Sequence, residues 1–463
     1  MNNSWLRRGA AIVFALAVAG CGGGGGGGDT GAGTTPAPSG SVKEALDKAA
    51  ATAANDTSVN SSASFTAVQD AGISAVTVKS PPKVNFAVFS DGKVVPSVAI
   101  GSVSFAIAKL VPGTNGNPDQ WVNYVYRTRA AATASSTGTY TPAVMATLST
   151  PKFATATQAF TDPKQTDATL LASQLVYNPD GYYTYTFKTD IKNTAQTNGV
   201  VFEPNRTHRV AIQLSYLNAA GQMVRVNPYF DFTVDANGNS VAVTDPTKTR
   251  KMTDVGSCNG CHQKLAAHGG GRVDTQFCVM CHNPSTVDPN SGNTLTLATV
   301  VHKIHAGKRL EAAGEPFTIR TDDFSDIGFP QDLRNCTVCH SGANPKTPQG
   351  DNWKTKASKQ ACLTCHVNGP TSDWYKVHTL FASNQDPHVL SDQACVGCHT
   401  PGTAIAPERV HFNQAQADAA FYKMNIESAV YDPAARVVNV KYFLSNPTNG
   451  NAPFNLVTSD CTG

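Results

Sequence analysis

Hydrophobic and polar positions fall into distinct patterns along the chain. A single apolar run occupies residues 10–19 and ends at Gly20-Cys21. From about residue 74 to 245 apolar side chains recur at every second position. Val84, Phe86 and Val88 alternate before the turn Asp91-Gly92, and Val103, Phe105 and Ile107 alternate after it. Tyr183, Tyr185 and Phe187 follow Asp180-Gly181, Val210, Ile212 and Leu214 form another run, and Phe230, Phe232 and Val234 end near Asn237-Gly238. Short period-two runs broken by Asp-Gly or Asn-Gly predict antiparallel strands, hence a β-sandwich or small barrel. Beyond residue 249 the alternation stops. Irregular segments rich in Pro, Gly and Asn (283–293 and 341–352) predict a loop-rich region with few short helices. Alternation returns at 421–445, where Ile426 to Val430, the turn Asp432-Pro433 and then Val438, Val440 and Tyr442 read as a β-hairpin.

Arg7 and Arg8 before the apolar run, and small residues after it, make a secretory signal too short to span a bilayer. Cys21 directly after Val18-Ala19-Gly20 resembles a bacterial lipobox, which makes Cys21 the candidate lipidated residue. Seven glycines (22–28) and a Gly/Thr/Pro/Ser stretch to Ser41 then read as a flexible leash. No Asp follows Cys21, which favours sorting to the outer membrane. Residues 42 to about 72 read as Ala-rich and helical, without chemistry. The expected organisation is a lipoprotein signal peptide (1–20), tether and linker (21–72), antiparallel β domain (73–248), cysteine-motif domain (249–412) and an incomplete β segment opening a further β domain (413–463).

Lys and Arg number 36 against 33 Asp and Glu, a net charge of +3 over 463 residues. That balance argues against nucleic acid as a partner, since such binders concentrate basic residues on one face. With 41% hydrophobic residues the chain can still form a core.

Ten of the 12 cysteines carry the chemistry; Cys21 precedes them and Cys461 is left single. Cys258-Asn-Gly-Cys261-His262, Cys278-Val-Met-Cys281-His282, Cys336-Thr-Val-Cys339-His340, Cys362-Leu-Thr-Cys365-His366 and Cys395-Val-Gly-Cys398-His399 each read C-x-x-C-H, the attachment signature of c-type haem. Two thiols at this spacing reach the two vinyl groups of one porphyrin, and the adjacent imidazole becomes the proximal iron ligand. Zinc ribbons use cysteine pairs in twos, and five is odd. Redox dithiols need no following His, yet one follows every pair. Five covalent haems are the expectation.

Six further histidines lie in this region: His268, His302, His305, His378, His388 and His411. Nearby methionines are Met252, Met280 and Met424, and Met280 sits inside a motif. The balance predicts bis-histidine iron throughout. His302 and His305, three apart, project from one side of a helical turn and are assigned to two neighbouring haems. His268, His378 and His411 complete the distal set, with His388 as the alternative to His378. His208, the one histidine of the β domain, is read as surface or structural. The 154 residues from Cys258 to His411 give about 31 per motif, too few for separate cores, so the haems themselves are expected to pack together.

At these residues the chain resembles the OmcA/MtrC family of outer-membrane decahaem cytochromes. The likeness lies in Cys258-Asn-Gly-Cys-His with Leu265-Ala-Ala-His268-Gly-Gly, Cys278-Val-Met-Cys-His-Asn-Pro284, His302-Lys-Ile-His305-Ala-Gly307 and Phe329-Pro-Gln-Asp-Leu-Arg-Asn-Cys336. It covers roughly residues 74–411. The resemblance implies a surface lipoprotein of the outer membrane, the periplasmic face being the alternative, that passes electrons towards extracellular acceptors. Metal oxides, chelates, flavins and partner cytochromes, including a porin–cytochrome conduit, are the implied partners. The family plan alternates β and pentahaem domains twice, and this chain carries one such pair. No catalytic residue is assigned. An electron-transfer protein is expected, with terminal metal reduction as an enzymatic option. The rivals are a multihaem reductase of a small oxyanion, which needs one open iron, and a haem store.

Overall fold

The computed structural model describes residues 41–53, 63–114, 117–356, 358–366 and 372–454. The signal peptide, Cys21, the glycine leash and Cys461 lie outside them.

Among the described residues fourteen strands form before residue 245: β1 (Ala63–Ser64), β2 (Val76–Thr77), β3 (Lys83–Ser90), β4 (Lys93–Val94), β5 (Val103–Val111), β6 (Gln120–Asn123), β7 (Tyr126–Ala130), β8 (Thr155–Ala159), β9 (Leu175–Asn178), β10 (Tyr182–Thr186), β11 (His208–Leu217), β12 (Met223–Val226), β13 (Tyr229–Val234) and β14 (Ser240–Ala242). One antiparallel sheet runs β1-β3-β10-β9, with β2 and β4 also on β3. The other runs β14-β13-β11-β5-β6, with β12 on β11, and β7 and β8 pair as a separate ribbon. Asp91 (φ 52°) and Gly92 (φ 75°) turn β3 into β4, the left-handed pair that a tight hairpin requires.

The alternating residues meet between the sheets. Val84, Phe86, Val88, Tyr183 and Tyr185 from one sheet bury against Phe105, Ile107, Val210, Ile212, Leu214, Phe230 and Phe232 of the other. Phe105 stacks on Tyr185 with ring centres 3.9 Å apart. The domain is a sandwich, and the antiparallel β expectation holds.

Each sheet also has an outer layer. Helix Val42–Thr52, opened by a Ser41/Glu44 capping box, buries Leu46 and Ala50 with Ala87 and Phe89 on the back of β3. Residues read from sequence as linker thus cover a sheet face. The sequence signal was there: an apolar Leu46/Ala50 pair at i, i+4 behind a capping box. On the second sheet the even positions of β5, Ala106, Ala108 and Leu110, face outward with Ala211 and Trp121. Small residues there let helix Thr275–Cys281 lie close, with Phe277, Val279 and Met280 buried on them.

His208 is fully buried rather than at the surface. Its Nε2 meets Tyr124 Oη at 3.0 Å, and its Nδ1 meets Arg206 O at 2.8 Å. It belongs to the sandwich core.

Short helices and loops follow from residue 255 to 419, interrupted by one small antiparallel ribbon of Thr318–Ile319 and Asp322–Asp323. Strands Lys423–Asp432 and Val437–Asn446 then pair as the expected hairpin, with a register shift between Ile426 and Ser428. Ile426, Val430, Val438 and Val440 are all exposed along it.

Candidate functional site

The cysteine motifs sit on single helical turns. Helices Val255–His262, Thr275–Cys281 and Asp392–Cys398 carry three of them, Lys359–Cys362 begins a fourth, and Cys336–Val338 is a 3-10 turn. Side-chain caps start several: Asp274 accepts from Gln276 N, Ser358 from Ala361 N and Ser391 from Ala394 N. One backbone bond then recurs. The histidine N–H donates to the first cysteine's carbonyl for His282 to Cys278 (2.9 Å), His340 to Cys336 (2.9 Å), His366 to Cys362 (3.1 Å) and His399 to Cys395 (2.8 Å). This keeps both cysteines and the imidazole on one helical turn.

Every motif histidine faces a second histidine. Ring centres are 5.9 Å apart for His262 and His305, 5.9 Å for His282 and His268, and 6.2 Å for His340 and His302. They are 6.0 Å apart for His366 and His411, and 6.2 Å for His399 and His378. Two metal–imidazole bonds of about 2 Å, with half a ring beyond each, separate ring centres by roughly 6 Å. The donor set therefore fits one metal between each pair.

The protonation of these rings suits ligation. Nδ1 meets a main-chain carbonyl in His282 (Leu295 O, 2.9 Å), His305 (Val301 O, 2.7 Å), His378 (Trp374 O, 2.7 Å), His399 (Ile405 O, 2.7 Å) and His411 (Pro407 O, 2.8 Å). A carbonyl holds the proton on Nδ1 and leaves the Nε2 lone pair for a metal. Burial pushes His268 and His302 down to about 4 and also lowers His282, His340 and His366, so all five are neutral at pH 7.

His302 and His305 lie on helix Leu297–His305, as the i, i+3 spacing predicts. His378 is on helix Asp373–Phe381 and stacks on Trp374 at 5.0 Å. His268 is not helical; it has φ 52° in the turn before Gly269. His388 faces no motif histidine. Its Nδ1 meets Asp386 Oδ1 at 2.5 Å, and its ring packs on Trp374 and Tyr375.

Neighbouring motifs lie within electrostatic reach of one another. Burial first, and then neighbouring groups, push cysteine pKa values up: Cys258, with Cys339 next, to about 11; Cys278, with Asp274 next and Cys258 adding a smaller effect, to about 12; and Cys362, with Cys395 next, to about 11. Cys336 is raised the same way beside Cys365. The motifs thus form one series: second, first, third, fourth, fifth. None of the ten motif cysteines is in a disulfide. Among the described residues no three His, Cys, Asp or Glu side chains converge on one point.

The sandwich holds the second motif through residues that sequence reasoning missed. Fully buried Arg209 donates to both Asp231 oxygens (2.6 and 2.9 Å) and to Gln276 Oε1 (2.7 Å), between the rings of Trp121 and Tyr229. Asn123 Nδ2 donates to Met280 O at 2.6 Å. The available signal was register: Arg209 shares the outward face of β11 with Ala211 and Gln213, where a buried cation implies a partner from outside the sheet.

Residues 250–412 match the family model of the outer membrane cytochrome MtrC/MtrF-like domains II/IV. The chain is 25% identical over 325 residues to the multiheme cytochrome MtrC of Shewanella baltica (strain OS185), covering 69% of this chain and 38% of that protein. The crystal structure of the outer membrane decaheme cytochrome OmcA aligns with a TM-score of 0.56 at 22% identity, over 84% of this chain and 55% of the other. That of MtrC from Shewanella baltica OS185 aligns with a TM-score of 0.48 at 22% identity, over 82% and 50%. The chain therefore spans less than two thirds of the length of each of these relatives, and the OmcA likeness shows the fold.

Proposed function

Residues 250–412 belong to the MtrC/MtrF-like family of outer membrane cytochrome domains II/IV, and from that premise we propose that this chain is a pentahaem c-type cytochrome conducting electrons towards extracellular acceptors. The observation that carries the proposal is the set of five histidine pairs, one at each C-x-x-C-H motif.

In this reading Cys258/Cys261, Cys278/Cys281, Cys336/Cys339, Cys362/Cys365 and Cys395/Cys398 hold the haems. His262, His282, His340, His366 and His399 are the proximal ligands, and His305, His268, His302, His411 and His378 are the respective distal ones. Bound there, each haem supplies one-electron iron redox chemistry. The protein's part is to orient one imidazole of each pair, and both of His399 and His378, through main-chain carbonyls, to keep the buried His268, His282, His302, His340 and His366 neutral and to string the motifs together. Helix Leu297–His305 does this most directly, since it serves two motifs at once. Metal oxides, chelates, flavins or partner cytochromes are the acceptors that fit such a conductor.

The rival reading, a multihaem reductase, needs a motif histidine with no imidazole opposite. Each of the five faces one, which favours conduction. Counting haem as the pyridine haemochrome and recording low-spin EPR tests the proposal. Five haems per chain, all low-spin when oxidised, are expected. A high-spin signal worth one haem in five would return the reductase reading.

Cys21 is the proposed lipidation site, with the protein held at the outer membrane, cell-surface exposed, by one acylated terminus. Among the described residues no helix is long and apolar enough to cross a membrane. Cys21→Ser should release the protein from outer-membrane fractions; unchanged fractionation would refute the anchor.

A further inference from the structure

Arginines gather beside the second motif. Arg127 and Arg129 stand in β7, Arg272 comes shortly before helix Thr275–Cys281, and Arg320 follows Ile319. The β7–β8 ribbon is pinned to the loop after the motif. Gln158 Nε2 donates to Val287 O at 3.1 Å, Ala159 N donates to Thr286 Oγ1 at 3.0 Å, and Thr286 Oγ1 in turn donates to Cys281 O at 2.6 Å. Arg127 is thereby fixed next to Cys281.

Its own contacts are incomplete. Arg127 Nη2 donates to Gln158 Oε1 at 3.1 Å, and the guanidinium carbon lies 3.7 Å above the Phe160 ring. Its Nε is buried without a partner. Arg272 uses Nε on Gln213 Oε1 at 3.2 Å, over the Phe277 ring of the motif helix. Neither arginine forms an ion pair with a carboxylate among the described residues. Arg320 has Asp288 and Asp322 nearby, whereas burial and then Arg129, Arg272 and Arg320 lower the Arg127 pKa. Both Arg127 and Arg272 act on Cys281 and on His268. A buried guanidinium N–H without an acceptor, among like charges, is costly to maintain unless an anion joins it.

We propose that Arg127 and Arg272 receive the propionate carboxylates of the haem attached at Cys278 and Cys281, so that strand β7 of the sandwich is part of that haem's binding site. The proposal rests on the pentahaem reading. Two carboxylates match two guanidiniums that pair with no carboxylate among the described residues, and Arg–carboxylate pairing is among the strong, directional hydrogen bonds. Fixed positive charge beside an iron also favours its ferrous state, so these arginines set that haem's potential above the value it would otherwise take.

The test compares wild type with Arg127→Gln, Arg127→Lys and Arg272→Gln by pyridine-haemochrome count and potentiometric titration. A wild-type count other than five fails the pentahaem reading before any variant is considered. With five haems in place, Arg127→Gln and Arg272→Gln should each move the same single wave downward, and Arg127→Lys should restore part of the shift. If Arg127→Gln does not accumulate, Arg272→Gln carries the test alone. Unmoved waves, or different waves in the two variants, overturn the proposal. So does a wild-type wave that tracks added phosphate at constant ionic strength, because the anion would then come from solution.

Discussion

His302 and His305, one helical turn apart on Leu297–His305, face different motifs: His302 lies 6.2 Å from His340 and His305 lies 5.9 Å from His262. A rigid helix thereby fixes the distance between the first and third sites.

Replacing either histidine by Met should therefore convert a different haem to His/Met ligation. Thioether ligation raises the potential relative to bis-histidine. One titration wave should move upward in each variant, and the two variants should move different waves. Sites joined by one helical turn should also interact, so the neighbouring wave should shift slightly. Five unmoved waves in either variant would make that histidine structural.

His378 and His388 should behave oppositely. His388→Ala removes a partially exposed ring held by Asp386 and should leave five low-spin haems and all five waves in place. His378→Ala removes the ring facing His399 and should produce a high-spin signal worth one haem. EPR on the two proteins decides; a high-spin signal in His388→Ala would exchange their roles.

The strands were legible because Val84/Phe86/Val88 and Val210/Ile212/Leu214 alternate strictly and Asp-Gly or Asn-Gly closes the runs. The motifs were legible because each repeats C-x-x-C-H at one fixed spacing. The pairing of each motif with its second histidine was not, because it depends on how loops return. His411 comes 45 residues after His366, yet lies against it. Also hidden were the carbonyls of Leu295 and Ile405 that orient His282 and His399, since main-chain groups leave no mark in sequence. Strand β7 escaped notice for another reason: Tyr126, Thr128 and Ala130 alternate with Arg127 and Arg129, a pattern that reads as an ordinary solvated edge.

His208 predicts a pH dependence of the sandwich. Burial lowers its pKa to about 4, below the roughly 6.5 of an exposed imidazole. The unfolded chain therefore takes up the proton first as pH falls. Its contribution is complete above about pH 6.5 and is lost towards pH 4, a loss of about 3 kcal/mol. Denaturant unfolding followed by far-UV circular dichroism should show this loss in wild type and a flatter profile in His208→Gln. The comparison cancels the carboxylates common to both proteins. Parallel profiles would mean that His208 is not the titrating group.

Arg209 and Asp231 should tie the stability of the sandwich to the seating of the second motif. The side chain of Arg209 is fully buried and that of Asp231 nearly so, and Arg209 also donates to Gln276 on the motif helix. Asp231→Ala leaves that cation without its carboxylate and should cost about 3–5 kcal/mol, the penalty for stranding a buried charge. Lys251, 3.7 Å from Asp231, loses a partner in the same step. Pairing Arg209→Met with Asp231→Leu removes both charges and should recover most of the loss, because Trp121 and Tyr229 already supply an apolar sleeve. Unfolding midpoints measure the stability, and the wave assigned to the haem at Cys278/Cys281 reports the seating. In Asp231→Ala that wave should broaden or move, and in the double variant it should return. A double variant no more stable than Asp231→Ala would show that the hydrogen bond from Arg209 to Gln276 holds the helix independently of the ion pair.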